Sequence, residues 1–430
     1  MNVKNQYKRK LITIPEAVGK VKSNQKICAA MAGSEPQGLL KELSNRADQL
    51  ENVNIVSCLM MGDYDFLKPE MKGAFLNETW FYGPTDRANH PHGNVTYIPN
   101  NLHEAGEKKL ENDHIDIFWG TATPMDNNGF LSLSLGLTYE KMMIEKADMV
   151  VLEINENLPW TLGDTQVHIS QINHIVENKA PLIELPVIEP GEEEKKIGKH
   201  IADMIENGST IQLGIGGIPN AITKSLKDKK DLGVHTEMFT DGMVDLFKDG
   251  VITNQKKSIW KGKMVGTFAL GTKKLYDFID KNLAVEFQQG NITNDPCIIG
   301  QNHKMVSVNT ALQVDITGQV CSEAIGNKHY SGTGGQVDTH RGAQRSPGGK
   351  GIIALRSTAK NGEISTIRAQ LQAGSKITLG RNDIDYIVTE YGVAHLKGKS
   401  IRDRVEEMIN IAHPDFRNEI RKKAKELKIW

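Results

Sequence analysis

Short apolar, β-branched runs alternate with amphipathic stretches along the whole chain. In the first half, runs at 53–56, 115–118, 149–152 and 181–183 predict strands. In the second half, those at 210–213, 234–239, 305–308, 351–355 and 384–388 do so. Between them apolar residues recur at helical spacing over 37–47, 137–146, 197–205 and 401–411. Strands alternating with helices predict an α/β protein built from open, mostly parallel sheets. The run from Glu184 to Glu194 carries two prolines and a block of acids, and a fresh helical pattern follows it. A junction near 190 is expected there, giving domains 1–190 and 191–430. A chain of 430 residues suits two domains.

Two features of the second half carry candidate chemistry. The strand run at 210–213 ends in Gly214-Ile215-Gly216-Gly217-Ile218-Pro219-Asn220, and a helix pattern follows. Glycines at such a turn let a ligand approach the backbone, and a helix start offers N–H groups to an anion. The same loop is compatible with a plain tight turn, and partly with a dinucleotide-binding fingerprint whose third glycine is replaced by Pro219. Glu237 lies near the end of the run 234–239, just before Thr240-Asp241-Gly242. Ligands of open α/β sheets bind beyond the carboxyl ends of strands, so a carboxylate here is a candidate nucleophile. Strand-end glutamates are also commonly solvated or salt-bridged.

A third feature is the glycine-rich stretch Ser331 to Asp338, continuing through Arg341-Gly342 to Gly348-Gly349-Lys350-Gly351. Its density suggests a backbone wall against a ligand, with Arg341, Arg345 and Lys350 available for phosphates. Several other motifs fall away. His235-x-Glu237 lacks the paired cysteines of a zinc deaminase. Gly398-Lys399-Ser400 lacks the spacing of a phosphate-binding loop, and no Gly-x-Ser-x-Gly elbow is present. The thirteen histidines show no metal-ligand spacing, and no metal is expected.

Composition narrows the function classes. A formal charge of −1 disfavours a general nucleic-acid or acidic-membrane surface. No apolar run approaches the ~18 residues of a membrane span. The polar, basic residues 1–10 are not followed by a secretory apolar region. Cys28, Cys58, Cys297 and Cys321 are scattered and read as reduced thiols, so a cytoplasmic location is expected.

Taken together, Gly214 to Ala221, His235-Thr236-Glu237-Met238, Asp241-Gly242, Ser331 to Asp338 and Thr389-Glu390-Tyr391-Gly392-Val393-Ala394 resemble the acetyl-CoA hydrolase/transferase family. Gly33-Ser34-Glu35-Pro36 and Gly163 to Ile172 add to the match in the first half. Within that family the chain most resembles the 4-hydroxybutyrate and butyryl-CoA:acetate CoA-transferases. The resemblance implies two domains of the NagB/RpiA/CoA-transferase type and a ping-pong reaction on Glu237. Coenzyme A would be a thioester substrate, with no tightly bound cofactor, and a homodimer is expected by analogy.

The resemblance also implies site roles. Backbone N–H groups of the loop Gly214, Ile215, Gly216, Gly217 and Ile218, with those of Gly334 and Gly335, would form the oxyanion and CoA wall. Asn309 would orient the nucleophile, and Glu390 would be a second active-site carboxylate. Glu237 must be ionised to attack, so its carboxyl is expected not to be strongly raised. Met31, Glu35, Trp80 and Phe81 are acyl-pocket candidates. Met31 stands where hydroxyacid enzymes of the family carry histidine, and a thioether cannot replace imidazole as a hydrogen-bond partner for a hydroxyl. A plain short-chain acyl group with acetate as acceptor is therefore expected. The alternatives are 4-hydroxybutyrate transfer or acyl-CoA hydrolysis on the same scaffold, and more remotely a nicotinamide oxidoreductase or a CoA-binding regulatory protein.

Overall fold

A computed structural model describes residues 2–429. Seven strands form the sheet of the first unit: β1 (Lys26–Ala29), β2 (Val53–Ser57), β3 (Phe75–Thr79), β4 (Val95–Tyr97), β5 (Ile117–Ala122), β6 (Met149–Ile154) and β7 (His174–Glu177). Every pairing is parallel and the order is β4-β3-β2-β1-β5-β6-β7. The chain winds outward from β1 in one direction and then from β5 in the other. This places a topological switch point between those two strands, where ligands of doubly wound sheets bind. Ile27, Val53, Ile55, Ile117, Trp119, Val151 and Val176 share one buried cluster with Leu39 and Leu40 of the helix Gln37–Leu43.

The second unit has a six-stranded sheet made of β8 (Thr210–Leu213), β9 (Gly233–Val234), β10 (Met305–Thr310), β11 (Lys350–Ala354), β12 (Tyr386–Thr389) and β13 (Gly392–His395). Its order is β9-β8-β10-β11-β12-β13, parallel except for the last pair. Ile353 and Ile387 pack with Val405 and Met408 of the helix Ile401–Ile411. The switch point here lies between β8 and β10.

The chain divides into Met1–Leu185 with Val265–Thr293, and Pro186–Met264 with Asn294–Trp430. The first crossing is close to the expected junction near 190. Two further crossings, at 264/265 and 293/294, depart from a simple division into 1–190 and 191–430. The expected strand at 181–183 is also corrected. Residues 178–190 run as irregular chain. Pro181 has no N–H to give a sheet, and the carbonyls of Pro181 and Ile183 accept instead from the Gln37 side chain and the Tyr276 hydroxyl. No helix is long and apolar enough to cross a membrane among the described residues.

Candidate active site

The strand expected over 234–239 is broken at Glu237. Strand β9 lasts for Gly233 and Val234, and a separate two-residue strand, Met238–Phe239, follows. The inward N–H groups of Gly233 and His235 still bond to β8 and the residue before it, at Ser209 O (2.9 Å) and Ile211 O (3.2 Å). Beyond that point the Thr236 hydroxyl donates to Met238 O at 3.1 Å, closing a turn around Glu237. The bend carries Glu237 off the end of the sheet, where its side chain is aimed by the turn rather than by the pleat.

The Glu237 carboxylate faces two donors. Asn294 Nδ2 donates to Oε2 at 2.9 Å, and the Gly335 N–H is the second. Gly335 caps the amino end of the helix Gln336–Arg345, whose dipole favours an anion there. A Cβ on Gly335 would lie 1.8 Å from Glu237 Oε2 and 2.2 Å from Asn294 Nδ2, so glycine is required by close approach. Burial nevertheless pushes the Glu237 carboxyl up to about 7; Asp338, in the first turn of that helix, adds to the rise, and the two donors oppose it. The expectation of an ordinary carboxyl is therefore corrected. Desolvation outweighs two hydrogen bonds.

The glycine loop leaves the carboxyl end of β8, next to β9, at the switch point of this sheet. Gly216 takes φ +115° as cap of the helix Gly217–Ser225, a conformation that L side chains rarely adopt. A Cβ on Gly214 or Gly216 would meet nothing within 4 Å, so packing does not demand these glycines. Ile215 between them is 45% exposed, while Ile218 is buried in the first turn. Gly334 has φ +54° immediately before Gly335.

Asn309 departs from its expected role. Its Nδ2 donates to Ser307 Oγ (3.1 Å) and Thr339 Oγ1 (3.0 Å), and the amide bonded to Glu237 belongs to Asn294. Thr339 Oγ1 in turn donates to Gly335 O at 2.9 Å, so Asn309 supports the glycine wall. Glu390, beyond β12, receives the N–H (2.9 Å) and hydroxyl of Ser357.

The phosphate candidates do not gather at the Glu237 end. Arg341 makes a two-pronged pair with Asp383, at 3.0 and 2.9 Å. Arg345 ends the helix that begins beside Glu237, and its Nη1 meets Cys297 Sγ at 2.7 Å. Lys350 opens β11, at the amino edge of the sheet, 3.7 Å from Glu206. The helix runs back along the sheet, which carries its last turn and the next strand start to the opposite edge.

In the first unit, the acyl-pocket candidates Met31 and Glu35 follow β1 at its switch point. Met31 is buried and its N–H donates to Glu140 Oε1 at 3.2 Å. Glu35 is buried beneath the loop that follows β2. It accepts from the N–H groups of Met61 (2.9 Å) and Gly62 (2.7 Å) and from the Tyr64 hydroxyl (2.6 Å). Burial pushes it up to about 7. Trp80 packs on Tyr139 with ring centres 4.8 Å apart, and Phe81 is half-buried, its carbonyl bonded to Leu59 N–H. Among the described residues one group of metal-ligand type lies together: His114, Asp116 and Asp148, before β5 and β6 at the amino edge of this sheet.

The model of the acetyl-CoA hydrolase/transferase N-terminal domain matches residues 1–189, and that of its C-terminal domain matches 271–424. The chain belongs to the acetyl-CoA hydrolase/transferase family. It is 44% identical over 418 residues to the 4-hydroxybutyrate coenzyme A transferase of Clostridium kluyveri, covering 96% of this chain and 97% of that one. The butyryl-CoA:acetate CoA-transferase of Anaerostipes caccae is 39% identical over 445 residues, covering 100% and 99%. Among solved structures, RipA from Yersinia pestis superposes with a TM-score of 0.96 at 36% identity over 100% of both chains. The family places the Glu237 geometry in a setting of CoA chemistry.

Asn294 is the residue that reading the sequence missed. It lies 57 positions from Glu237, in Asn294-Asp295-Pro296, which looks like an ordinary helix start. Asp295 does cap the short helix Pro296–Ile299. Only the fold reveals that Asn294 is fully buried against a carboxylate.

Proposed function

We propose that this member of the family moves CoA between a short-chain acyl-CoA and acetate or a similar short carboxylate, by a ping-pong route through Glu237. The carboxylate oxygen attacks the thioester carbonyl, the C–S bond breaks, and CoA thiolate leaves an acyl-glutamyl anhydride. The thiolate then attacks the glutamyl carbonyl carbon, the bond from that carbon to the bridging oxygen of the anhydride breaks, and the acid departs as its carboxylate, leaving a glutamyl-CoA thioester. An acceptor carboxylate runs the same steps backwards. CoA enters and leaves as substrate, so the route uses no resident cofactor.

The observation that carries this reading is the Glu237 carboxylate held between Asn294 Nδ2 and the Gly335 N–H, with no Cβ in the way. Each acyl-transfer step passes through a tetrahedral species with negative charge on an oxygen, and fixed donors in a desolvated site favour that charge. A carboxyl near 7 is also a better nucleophile, once ionised, than a more acidic one. The names of the Clostridium and Anaerostipes relatives support short acyl groups. Buried Met31 supports a plain acyl chain over a hydroxylated one. The scattered spacing of the four cysteines supports a reducing, cytoplasmic setting; a homodimer rests on analogy with the family.

Incubation with butyryl-CoA, followed by intact mass and peptide mapping, tests the mechanism. A CoA-sized adduct on Glu237, discharged by acetate into acetyl-CoA, is the expected result. Free CoA released at the same rate with and without acetate would identify a hydrolase. Full transfer by Glu237→Ala would sink the route. A preference for 4-hydroxybutyrate over butyrate across a panel of acids would overturn the expected substrate.

A further inference from the structure

The strand that delivers Glu237 is an edge strand, and its outer side is completed by side chains. Along 232–235 the backbone alternates. Gly233 and His235 bond inward to β8 and the residue before it, whereas Leu232 and Val234 face outward. Leu232 is paired by ordinary backbone: its N–H donates to Val251 O (2.9 Å), and its carbonyl accepts from Thr253 and Asn254 N–H (both 3.0 Å). The chain then turns away at Asn254, which has φ +58°. From there the outer bonds to Val234 come from side chains. Asn254 Oδ1 accepts the Val234 N–H at 2.9 Å, and Lys257 Nζ donates to Val234 O and to Lys263 O, each at 2.8 Å.

Lys257 is 1% exposed and Asn254 is fully buried. A buried lysine is rare, because desolvating an ammonium is costly unless its donors are used. Room for its stem comes from Gly233, where a Cβ would lie 2.4 Å from Lys257 Cγ. The same loop brings the Trp260 ring within 5.9 Å of His235. Thus both peptide groups of Val234, three residues before Glu237, are held by two buried side chains of one loop.

We infer that the loop Thr253 to Lys263 is a positioning clamp for the nucleophile, with Lys257 and Asn254 as its positioning residues. The inference rests on the reading of Glu237 as nucleophile. Strand β9 is two residues long and ends in a bend, so where Glu237 points depends on how firmly the backbone that leads into the bend is held. Fixing Val234 from outside, while β8 fixes its neighbours from inside, sets the origin of that bend. A shift of about 1 Å in a reacting group commonly costs on the order of a hundredfold in rate.

The test uses the full chain with butyryl-CoA and measures, by mass, the single-turnover growth of the CoA adduct on Glu237, with steady-state rates over pH. Lys257→Met keeps the stem and removes the donor. Asn254→Ala removes the acceptor, and Asn254→Asp restores an oxygen. The expected result is a fall of about tenfold or more in kcat and in adduct growth for Lys257→Met and Asn254→Ala, with KM within about twofold and a displaced pH profile. Asn254→Asp should recover most of the loss. Variants whose adduct grows at the parent rate with the parent pH profile, whatever their thermal midpoint, would overturn the clamp. If Lys257→Met does not fold, the Asn254 pair decides by the same measurements. A parent chain that forms no adduct would defeat the nucleophile reading itself, and the clamp with it.

Discussion

Gly335 lies so close to Glu237 that a Cβ on it would come within 1.8 Å of the carboxylate Oε2. The contact makes one residue both a donor and a spacer, because its N–H reaches the carboxylate only where no side chain intervenes. Gly335→Ala must therefore displace Glu237, Asn294 or the start of the helix Gln336–Arg345. Gly335 has φ −93°, which alanine tolerates, so the harm is local and not a matter of backbone strain. Loss of a donor at such a site costs on the order of a hundredfold or more in rate. The expected outcome is a folded protein, by circular dichroism, with transfer reduced by at least that factor. Near-parental kcat in Gly335→Ala would show that the contact is dispensable.

The raised carboxyl of Glu237 gives the reaction a pH signature. On the proposed route a protonated Glu237 cannot attack, so kcat/KM should climb as pH rises through about 7 and level off above it. The direction of two substitutions follows from the causes of the shift. Asp338→Asn removes a negative charge that raises Glu237, and should move the midpoint to lower pH. Asn294→Ala removes a donor that favours the carboxylate, and should move it higher. Initial rates against pH for the three proteins check both signs. Shifts in the reversed order would refute this account of the carboxyl's environment.

Much of the fold was legible from hydrophobic pattern. Runs such as 53–56, 149–152 and 305–308 lie mostly buried in parallel sheets and read as largely apolar stretches rich in valine and isoleucine. Strand β3 was not legible, since Phe75-Leu76-Asn77-Glu78-Thr79 places polar residues inside the run. Asn77 is buried there because Ser57 and Asp86 satisfy its amide, and Glu78 pairs with Lys109. In the site, glycines and Glu237 announced themselves through local spacing. Asn294 and the Asn309–Thr339 link did not, because each bond spans at least 30 positions and depends on sheet order. The phosphate candidates lie away from Glu237 for a related reason: proximity in sequence along 341–350 becomes distance when a helix turns back to the opposite sheet edge.

Buried carboxyls of the first unit predict a second pH dependence, this time of stability. Burial pushes both Glu35 and Asp86 up to about 7, from ordinary values of 4.5 and 3.8. A group raised on folding contributes stability below its unfolded value and loses it as pH rises through the folded one. The window here therefore runs from about 4 to about 7. Each shift corresponds to something on the order of 3 kcal/mol across that window. The unit containing them should unfold at lower temperature at pH 8 than at pH 5, by calorimetry. Asp86→Asn should flatten that slope, since its amide cannot titrate. An unchanged slope in this variant would place the titration elsewhere.

The Asn309–Thr339–Gly335 chain makes a prediction about coupling. Asn309 Nδ2 donates to Thr339 Oγ1, and Thr339 Oγ1 donates to Gly335 O, the carbonyl of the residue whose N–H faces Glu237. Asn309→Ala and Thr339→Val interrupt the same path at successive links. Each should lower kcat, and the double variant should be little worse than the poorer single one. The expected interaction is about 1 kcal/mol or more, well above what independent sites show. If Asn309 instead met Glu237 or the substrate on its own, its effect would persist in the Thr339→Val background. A double-mutant cycle on kcat/KM, with the adduct rate as a second readout, separates the two cases. Additive losses would return Asn309 to the direct orienting role expected from family resemblance; strong non-additivity would keep it behind the glycine wall.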